Sequence, residues 1–306
     1  MRIAILGIGG VGGYFGGKLA GHFAGSGEVE IIFIARGENA KAIQAGGLKI
    51  VTAEGEQIVK PHLVTDESSE IGPVDLFIVC TKAYDLEASL NKYRKCIDER
   101  TAILPLLNGV DHVETVKRIL PEIEIWNGCV FIVSRLQVPG VVKIDSQIRL
   151  LQFGSLDGNH EKLERAEKLF QTAGINAELV EDIDKTVWEK FIFISSLATL
   201  TSFLDQNIGG IIHSDENLKI LAELIGEVSR LARAKGIRVA DGIEEFTLNR
   251  IRSAPPDSTS SMHSDFQKNG RTELETLTGY VVREARSLNL EAPVYQRLYE
   301  ELRTGN

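Results

Sequence analysis

The sequence predicts an α/β protein: an N-terminal doubly wound parallel sheet followed by a C-terminal all-helical domain. Three observations carry this. In the first half, short β-rich runs alternate with helical patterns; a glycine-rich turn closes the first run; and beyond about residue 182 the strand signal disappears. Strands are expected at residues 2–6, 28–35, 74–80, 101–106 and 126–133, with helices near 11–24, 38–45, 84–97 and 110–119. Apolar runs bounded by turn residues and separated by helices point to a parallel sheet covered on both faces. Two short runs between Gly47 and Val64 read as an antiparallel excursion, and residues 141–153 read as a hairpin closing the first domain.

The second half shows helical periodicity at 185–204, 214–236, 241–252, 272–289 and 294–303. Leu218, Leu221, Ala222, Ile225, Val228 and Leu231 form an apolar stripe at helical spacing. The polar stretch Pro255-Pro256-Asp257-Ser258-Thr259 breaks the series as a loop. The expected division is residues 1–181 and 182–306, which suits a chain of 306 residues.

A net charge of -9 argues against nucleic acid as a partner, because a nucleic-acid footprint needs a basic surface. Cys80, Cys96 and Cys129 have no C-x-x-C spacing and read as small buried side chains. The six histidines are scattered, so no metal is expected. Glycines at 7, 9, 10, 12, 13, 16 and 17 interrupt a start that otherwise looks like a signal peptide, and no later run approaches a membrane span. The expected location is the cytoplasm, without a membrane partner.

Gly7-Ile8-Gly9-Gly10-Val11-Gly12 fits G-x-G-x-x-G directly after the first strand and opens the first helix. In that context Gly7 permits the tight turn, Gly9 lets backbone approach a pyrophosphate, and Gly12 lets helix and strand pack closely. The helix N-terminus offers N–H groups and the positive end of its dipole to the anion. The first domain is therefore expected to be of Rossmann type and to bind a dinucleotide through residues 7–12. The second strand ends in Ala35-Arg36-Gly37, and Arg36 suits a ribose 2′-phosphate, which favours NADP(H) over NAD. Glu38 lies just beyond the position from which an acid would hold a 2′-hydroxyl. Lys82 follows the strand ending at Cys80 and is expected at the same crevice, as a cofactor contact or an ordinary strand-end charge.

These features, with Thr81-Lys82, Leu107-Asn108-Gly109, Trp188-Glu189-Lys190, Ser260-Ser261-Met262 and Gly270-Arg271-Thr272-Glu273, make the chain resemble the ketopantoate reductase family over essentially its whole length. The resemblance implies a Rossmann domain and a helical domain with NADPH and a small 2-oxo acid in the cleft between them. It implies that Lys190 is the general acid and binds substrate. It likewise makes Asn108 a contact to cofactor and substrate, Glu273 a cofactor-side carboxylate, and Ser261 a substrate-binding serine. The chemistry is coherent, since hydride attack on a ketone builds negative charge that an ammonium can both stabilise and protonate. On its own each residue has a plainer role: a solvated helix lysine, an Asn-Gly turn, a first-turn acid and a helix cap.

The chain departs from the family pattern where asparagines are expected, with Ile194, Ala198 and Ile208 in their places and Thr278 before Gly279. Ile194 and Ala198 share a helical face with Lys190, so this wall reads as apolar. Asn207 adjoins Ile208 and could substitute after a local shift, and Ser195, Ser196, Thr199 and Ser202 lie on neighbouring faces, where they would compensate only with the helix rotated. The expected activity is NADPH-dependent reduction of ketopantoate or a related 2-oxo acid. The alternatives are a more apolar 2-oxo acid and a non-catalytic NADP(H)-binding sensor. A homodimer is compatible with each.

Overall fold

The computed structural model describes residues 1–155 and 157–305. The chain divides into two compact units, one of residues 1–107 and 111–183, the other of residues 108–110 and 184–306. The first opens with β1 (Arg2–Leu6), α1 (Gly10–His22), β2 (Glu30–Ile34) and α2 (Gly37–Gly46). It continues with β3 (Leu48–Thr52), β4 (Gly55–Val59), β5 (Leu63–Thr65), the single turn α3 (Ser68–Ile71) and β6 (Leu76–Val79). A 3₁₀ turn (Ala83–Asp85), α4 (Leu86–Lys92), β7 (Ala102–Pro105), α5 (His112–Ile119), β8 (Glu124–Ile125) and β9 (Asn127–Phe131) follow. β10 (Ser134–Val138), β11 (Val141–Ile144), β12 (Leu150–Gly154), α6 (His160–Thr172) and β13 (Asn176–Leu179) complete the unit.

Six strands form a parallel sheet in the order β5-β2-β1-β6-β7-β8. This is the doubly wound Rossmann order, in which the chain leaves β1 and β6 in opposite directions and opens a crevice at their carboxyl ends. The strands are apolar at nearly every position because both faces are buried. Ile3, Ile5, Ile31, Phe33, Leu76 and Ile78 pack into one core, whereas Ala4, Leu6, Ile32, Ile34, Phe77 and Val79 pack into another.

β3 and β4 pair antiparallel as expected, within a separate four-stranded sheet ordered β10-β11-β3-β4. The expected hairpin over 141–153 does not form. β11 instead turns back on β10 across Pro139-Gly140, where Gly140 has φ +78. A Pro-Gly pair sets up this tight turn with the glycine in the left-handed region. β12 belongs to a third sheet, antiparallel to β9 and parallel to β13. The strand expected over 126–133 thus leaves the parallel sheet, and the two-residue β8 takes the outer place beside β7. α6 carries a side-chain cap from Asn159 and buries Leu163, Ala166 and Phe170; neither it nor β13 was expected.

The second unit consists of α7 (Ile183–Leu204, from residue 184), α8 (Ile208–Ile212), α9 (Asp215–Ala234), α10 (Ile243–Arg252) and α11 (Ser261–Gln267). A five-residue π-helix (Glu275–Gly279) then runs directly into α12 (Tyr280–Ser287), and α13 (Pro293–Thr304) follows. The apolar stripe of α9 buries Leu221, Leu224, Ile225, Val228 and Leu231, while Ala222 lies outside it. α7 is the core helix, with Phe191, Ile192, Ala198 and Leu200 at most 1% exposed. Among the described residues α7 is the one helix long and apolar enough to cross a membrane by length and composition, and most of it is buried by its neighbours.

Candidate functional site

β1 delivers the chain into Gly7, whose φ of +91 an L side chain rarely adopts, and whose N–H donates to the Ile34 carbonyl at 3.1 Å. A Cβ on Gly7 would lie 2.9 Å from the Cys80 carbonyl oxygen, so the loop presses against the end of β6. On Gly12 a Cβ would collide with the Gly7 carbonyl oxygen and lie 3.0 Å from the Cys80 Cβ. Gly9 differs. It stands at the N-cap of α1, and a Cβ there would have no described atom within 4 Å.

The cradle thus closes on its protein side and opens at Gly9, where backbone can approach a ligand. The helix start carries no side-chain cap among the described residues and no acidic residue in its first turn. Its N–H groups and dipole therefore remain available to a pyrophosphate, and the residues present fit a dinucleotide. Ile8 is 3% exposed, and its carbonyl accepts a hydrogen bond from Asn39 Nδ2 at 2.8 Å. Asn39 Oδ1 in turn accepts from the Gly140 N–H at 2.8 Å. Val11 packs against the core, and Gly10 faces Ser134 at the start of β10. Asn39 and Ser134 support the loop, yet no local pattern marks either one, because both contacts join distant parts of the chain.

Arg36 stands at the N-cap of α2, just past β2, with a side chain 73% exposed. Asp85 Oδ2 lies 3.7 Å from its guanidinium, a long surface pair that leaves most of the fork's donors to solvent. Glu38 is engaged by Lys41 at 2.9 Å. Lys82 precedes the 3₁₀ turn beyond β6, half-buried, and its carbonyl accepts from the Asp85 N–H at 2.9 Å. Cys80 is a free cysteine whose thiol is pushed far up by burial, so it acts as packing rather than as a nucleophile.

In the second unit Lys190 Nζ donates to Asn108 Oδ1 at 3.4 Å in a half-buried setting. The two residues are 82 apart in sequence, and Gly109 (φ +115) turns the chain immediately after the amide. Trp188 packs edge-on against Phe191, and Tyr280 covers both rings, which fixes the turn of α7 carrying Lys190. Glu189 Oε1 accepts from the Ala240 N–H at 2.9 Å and anchors the same turn from outside. Glu273 is 3% exposed just before the π-helix, so it is a buried carboxylate rather than a solvated first-turn acid.

Ser261 is the exposed first residue of α11, and the capping role falls to its neighbour: Ser260 Oγ accepts from the His263 N–H at 3.0 Å. Of the apolar replacements only Ile194 keeps partial exposure, whereas Ala198 and Ile208 are sunk in the core. Asn207 caps α8 by accepting from the Gly210 N–H at 3.1 Å. The hydroxyls beside Lys190 are used internally. Ser195 Oγ donates to the Leu277 carbonyl at 2.8 Å, Tyr295 reaches both Ser195 and Ser196, and Thr199 meets Thr278 at 2.8 Å. Among the described residues no group of three or more His, Cys, Asp or Glu is placed to hold a metal ion.

A glycine cradle at the switch point of a doubly wound sheet, with a helical unit bearing a half-buried lysine–amide pair, defines the class: a dinucleotide-dependent oxidoreductase. Comparison with known proteins narrows it. The ketopantoate reductase PanE/ApbA family matches residues 3–158, and its C-terminal domain matches residues 182–306. A crystal structure of 2-dehydropantoate 2-reductase from Porphyromonas gingivalis W83 is 38% identical, covers 99% of both chains and superposes with a TM-score of 0.86. The uncharacterized oxidoreductase YkpB of Bacillus subtilis (strain 168) is 29% identical over 305 residues, 99% of this chain and 98% of the relative. D-mandelate dehydrogenase, solved with NADH and anilino(oxo)acetate, is 25% identical with a TM-score of 0.87, over 99% of this chain and 98% of that one. The chain belongs to the ketopantoate reductase family. It is an oxidoreductase of 2-oxo acids that uses a nicotinamide cofactor.

Proposed function

We propose that this chain reduces a 2-oxo acid to the 2-hydroxy acid with NADPH, and that 2-dehydropantoate is the first substrate to test. The observation that carries the reading is the Lys190–Asn108 pair, which folding brings to 3.4 Å across 82 residues. In this reading the first unit binds the cofactor through the backbone of Gly7, Ile8, Gly9, Gly10, Val11 and Gly12, with Arg36 at the 2′-phosphate and Lys82 beside it. The helical unit supplies Asn108, Glu273, Ser261 and Lys190. When bound, the nicotinamide supplies the hydride.

Lys190 holds the proton that the developing alkoxide takes, and its charge stabilises that oxygen as it forms. Asn108 accepts one ammonium proton through Oδ1, orienting the head group, and its amide N–H donors remain for substrate. Glu273, 3% exposed, offers carboxylate oxygens as hydrogen-bond acceptors on the cofactor side of this reading. Purified Lys190→Ala should lose about 10²- to 10⁴-fold in kcat/KM, the range for a general acid, while NADPH affinity measured by fluorescence stays within a few-fold. Full turnover in this variant would remove the mechanism.

A second reading keeps the chemistry and takes a more apolar 2-oxo acid. It is favoured by Ile194 on the Lys190 face, and by Ser195 and Thr199 being bonded within the core rather than presented to a ligand. The likeness to D-mandelate dehydrogenase adds to its support. A panel of 2-oxo acids of graded polarity, read as kcat/KM by NADPH oxidation, separates the two. Strong preference for 2-dehydropantoate rejects the second reading, and preference for an aryl or alkyl acid rejects the first.

A further inference from the structure

We propose that Ser195 and Tyr295 are positioning residues that hold Glu273 in register with Lys190 by clamping the π-helix that follows Glu273. The inference rests on the catalytic reading above.

A π-helix inserts one extra residue into a turn and is a rare conformation, found mostly as single turns inside helices and frequently at functional sites. Here it covers Glu275–Gly279, beginning two residues after Glu273. The Thr276 and Leu277 N–H groups both donate to the Glu273 carbonyl, at 3.1 and 2.9 Å, so the placement of this turn sets the backbone of the carboxylate. Relaxation to an α-turn would remove one residue from the winding and rotate Glu273 relative to everything after it.

Two hooks on α7 oppose that relaxation. Ser195 Oγ donates to the Leu277 carbonyl at 2.8 Å, and one helical turn further on Thr199 bonds Thr278 at 2.8 Å. The single proton of Ser195 is committed to Leu277, so the Tyr295 hydroxyl, 2.7 Å away, donates to Ser195, and Ser196 at 3.3 Å can donate to Tyr295. Ser195, Ser196, Thr199, Thr278 and Tyr295 are each 0% exposed. Burial pushes the Tyr295 hydroxyl well above its ordinary range, so it keeps its proton across the working pH of the protein.

The result is a continuous path from Ser196 through Tyr295 and Ser195 to the Leu277 carbonyl, and from the Leu277 N–H to the Glu273 carbonyl. It starts on the helix that carries Lys190 six residues earlier. Linked hydrogen bonds in an apolar interior strengthen one another, and burying hydroxyls there is costly unless each is bonded. Aliphatic packing alone would cover α7 more simply. What the hydroxyls add is a fixed register between α7 and the turn beyond Glu273.

The test compares Ser195→Ala and Tyr295→Phe with the parent enzyme, both truncations that keep the packing nearly intact. Measurements are Tm, the NADPH dissociation constant, kcat, KM for the oxo acid and the pH profile of kcat. The expected result is a kcat about ten- to a hundred-fold lower, the range for displaced catalytic geometry, with NADPH affinity within two-fold and the limb of the pH profile belonging to the lysine displaced. A fall in Tm with unchanged kcat and unchanged pH profile in both variants would overturn the proposal. Should Ser195→Ala fail to fold, Tyr295→Phe alone decides, because its ring still fills the site. Lys190→Ala is run alongside. If it is fully active, the catalytic reading and the clamp both fall; if it is inactive while both clamp variants behave as the parent, the clamp alone falls.

Discussion

The two units build their functional parts from different materials. At the glycine cradle the surface offered to a ligand is backbone, and two of its glycines are required by what a Cβ would strike: the Cys80 carbonyl at Gly7, the Gly7 carbonyl at Gly12. Along α7 it is side chains that matter, and their roles are assigned by partners 79 to 100 residues away. A backbone site leaves a local signature in the sequence because only glycine satisfies it. A side-chain site made by long-range pairing leaves almost none.

The largest expected effect breaks the backbone site. Gly12→Ala should cost about 1–3 kcal/mol of stability, the usual range for overpacking, and abolish measurable dinucleotide binding, because the obstructing atom is a carbonyl that cannot move aside. Gly9→Ala should leave Tm unchanged and still weaken the dinucleotide, since its Cβ meets nothing in the protein. Equal Tm losses in the two variants would contradict the description of the cradle.

In the helical unit Thr199→Val should cost about 1–3 kcal/mol in urea unfolding by leaving the Thr278 hydroxyl buried without its partner. Thr199→Val with Thr278→Val should cost less than the sum of the single variants, and simple additivity would show that the pair is not coupled. Arg36→Ala should weaken NADPH more than NADH by about 1–3 kcal/mol if a charge-assisted phosphate contact is lost. Equal losses for both nucleotides would remove the 2′-phosphate assignment.

The smallest effect is a pH slope. Glu227, 5% exposed, accepts from the Val294 and Tyr295 N–H groups at the start of α13, and burial raises its pKa above the ordinary 4.5. A carboxyl with a raised folded-state pKa contributes stability that is complete below its unfolded value and is lost as pH rises through the folded one. Glu227→Gln should flatten the dependence of the urea midpoint on pH above 4.5, and an unchanged slope would show that the group does not titrate between the two states.

Much of the first unit was legible because its determinants are local. Apolar runs with turn residues at their ends located β1, β2, β6 and β7, the four central strands of the parallel sheet, but not its edge strands β5 and β8, and G-x-G-x-x-G located the cradle. The Pro139-Gly140 turn was also written in the sequence, yet the apolar stretch at 141–153 outweighed it and produced a false hairpin. α6 was passed over although Leu163, Ala166 and Phe170 recur at helical spacing, because charged residues surround them. α8 is five residues with two glycines, too short and too flexible to announce itself. At the candidate site the resemblance singled out Lys190, Asn108 and Glu273, and nothing in their spacing could have told that the first two lie together. Of the α7 hydroxyls, which could replace the missing amides only with the helix rotated, Ser195, Ser196 and Thr199 are bonded within the core, whereas the buried Ser202 Oγ has no partner among the described residues.

The pairing of Ser195 with Tyr295 spans 100 residues and bears on how the protein is made. As the chain emerges from the ribosome, the long apolar helix α7 appears well before the partner that covers its hydroxyls. Until residue 295 has been synthesised, that helix has no finished socket, so an interrupted translation product ending before it exposes a sticky, half-satisfied surface of the kind that chaperones and proteases recognise.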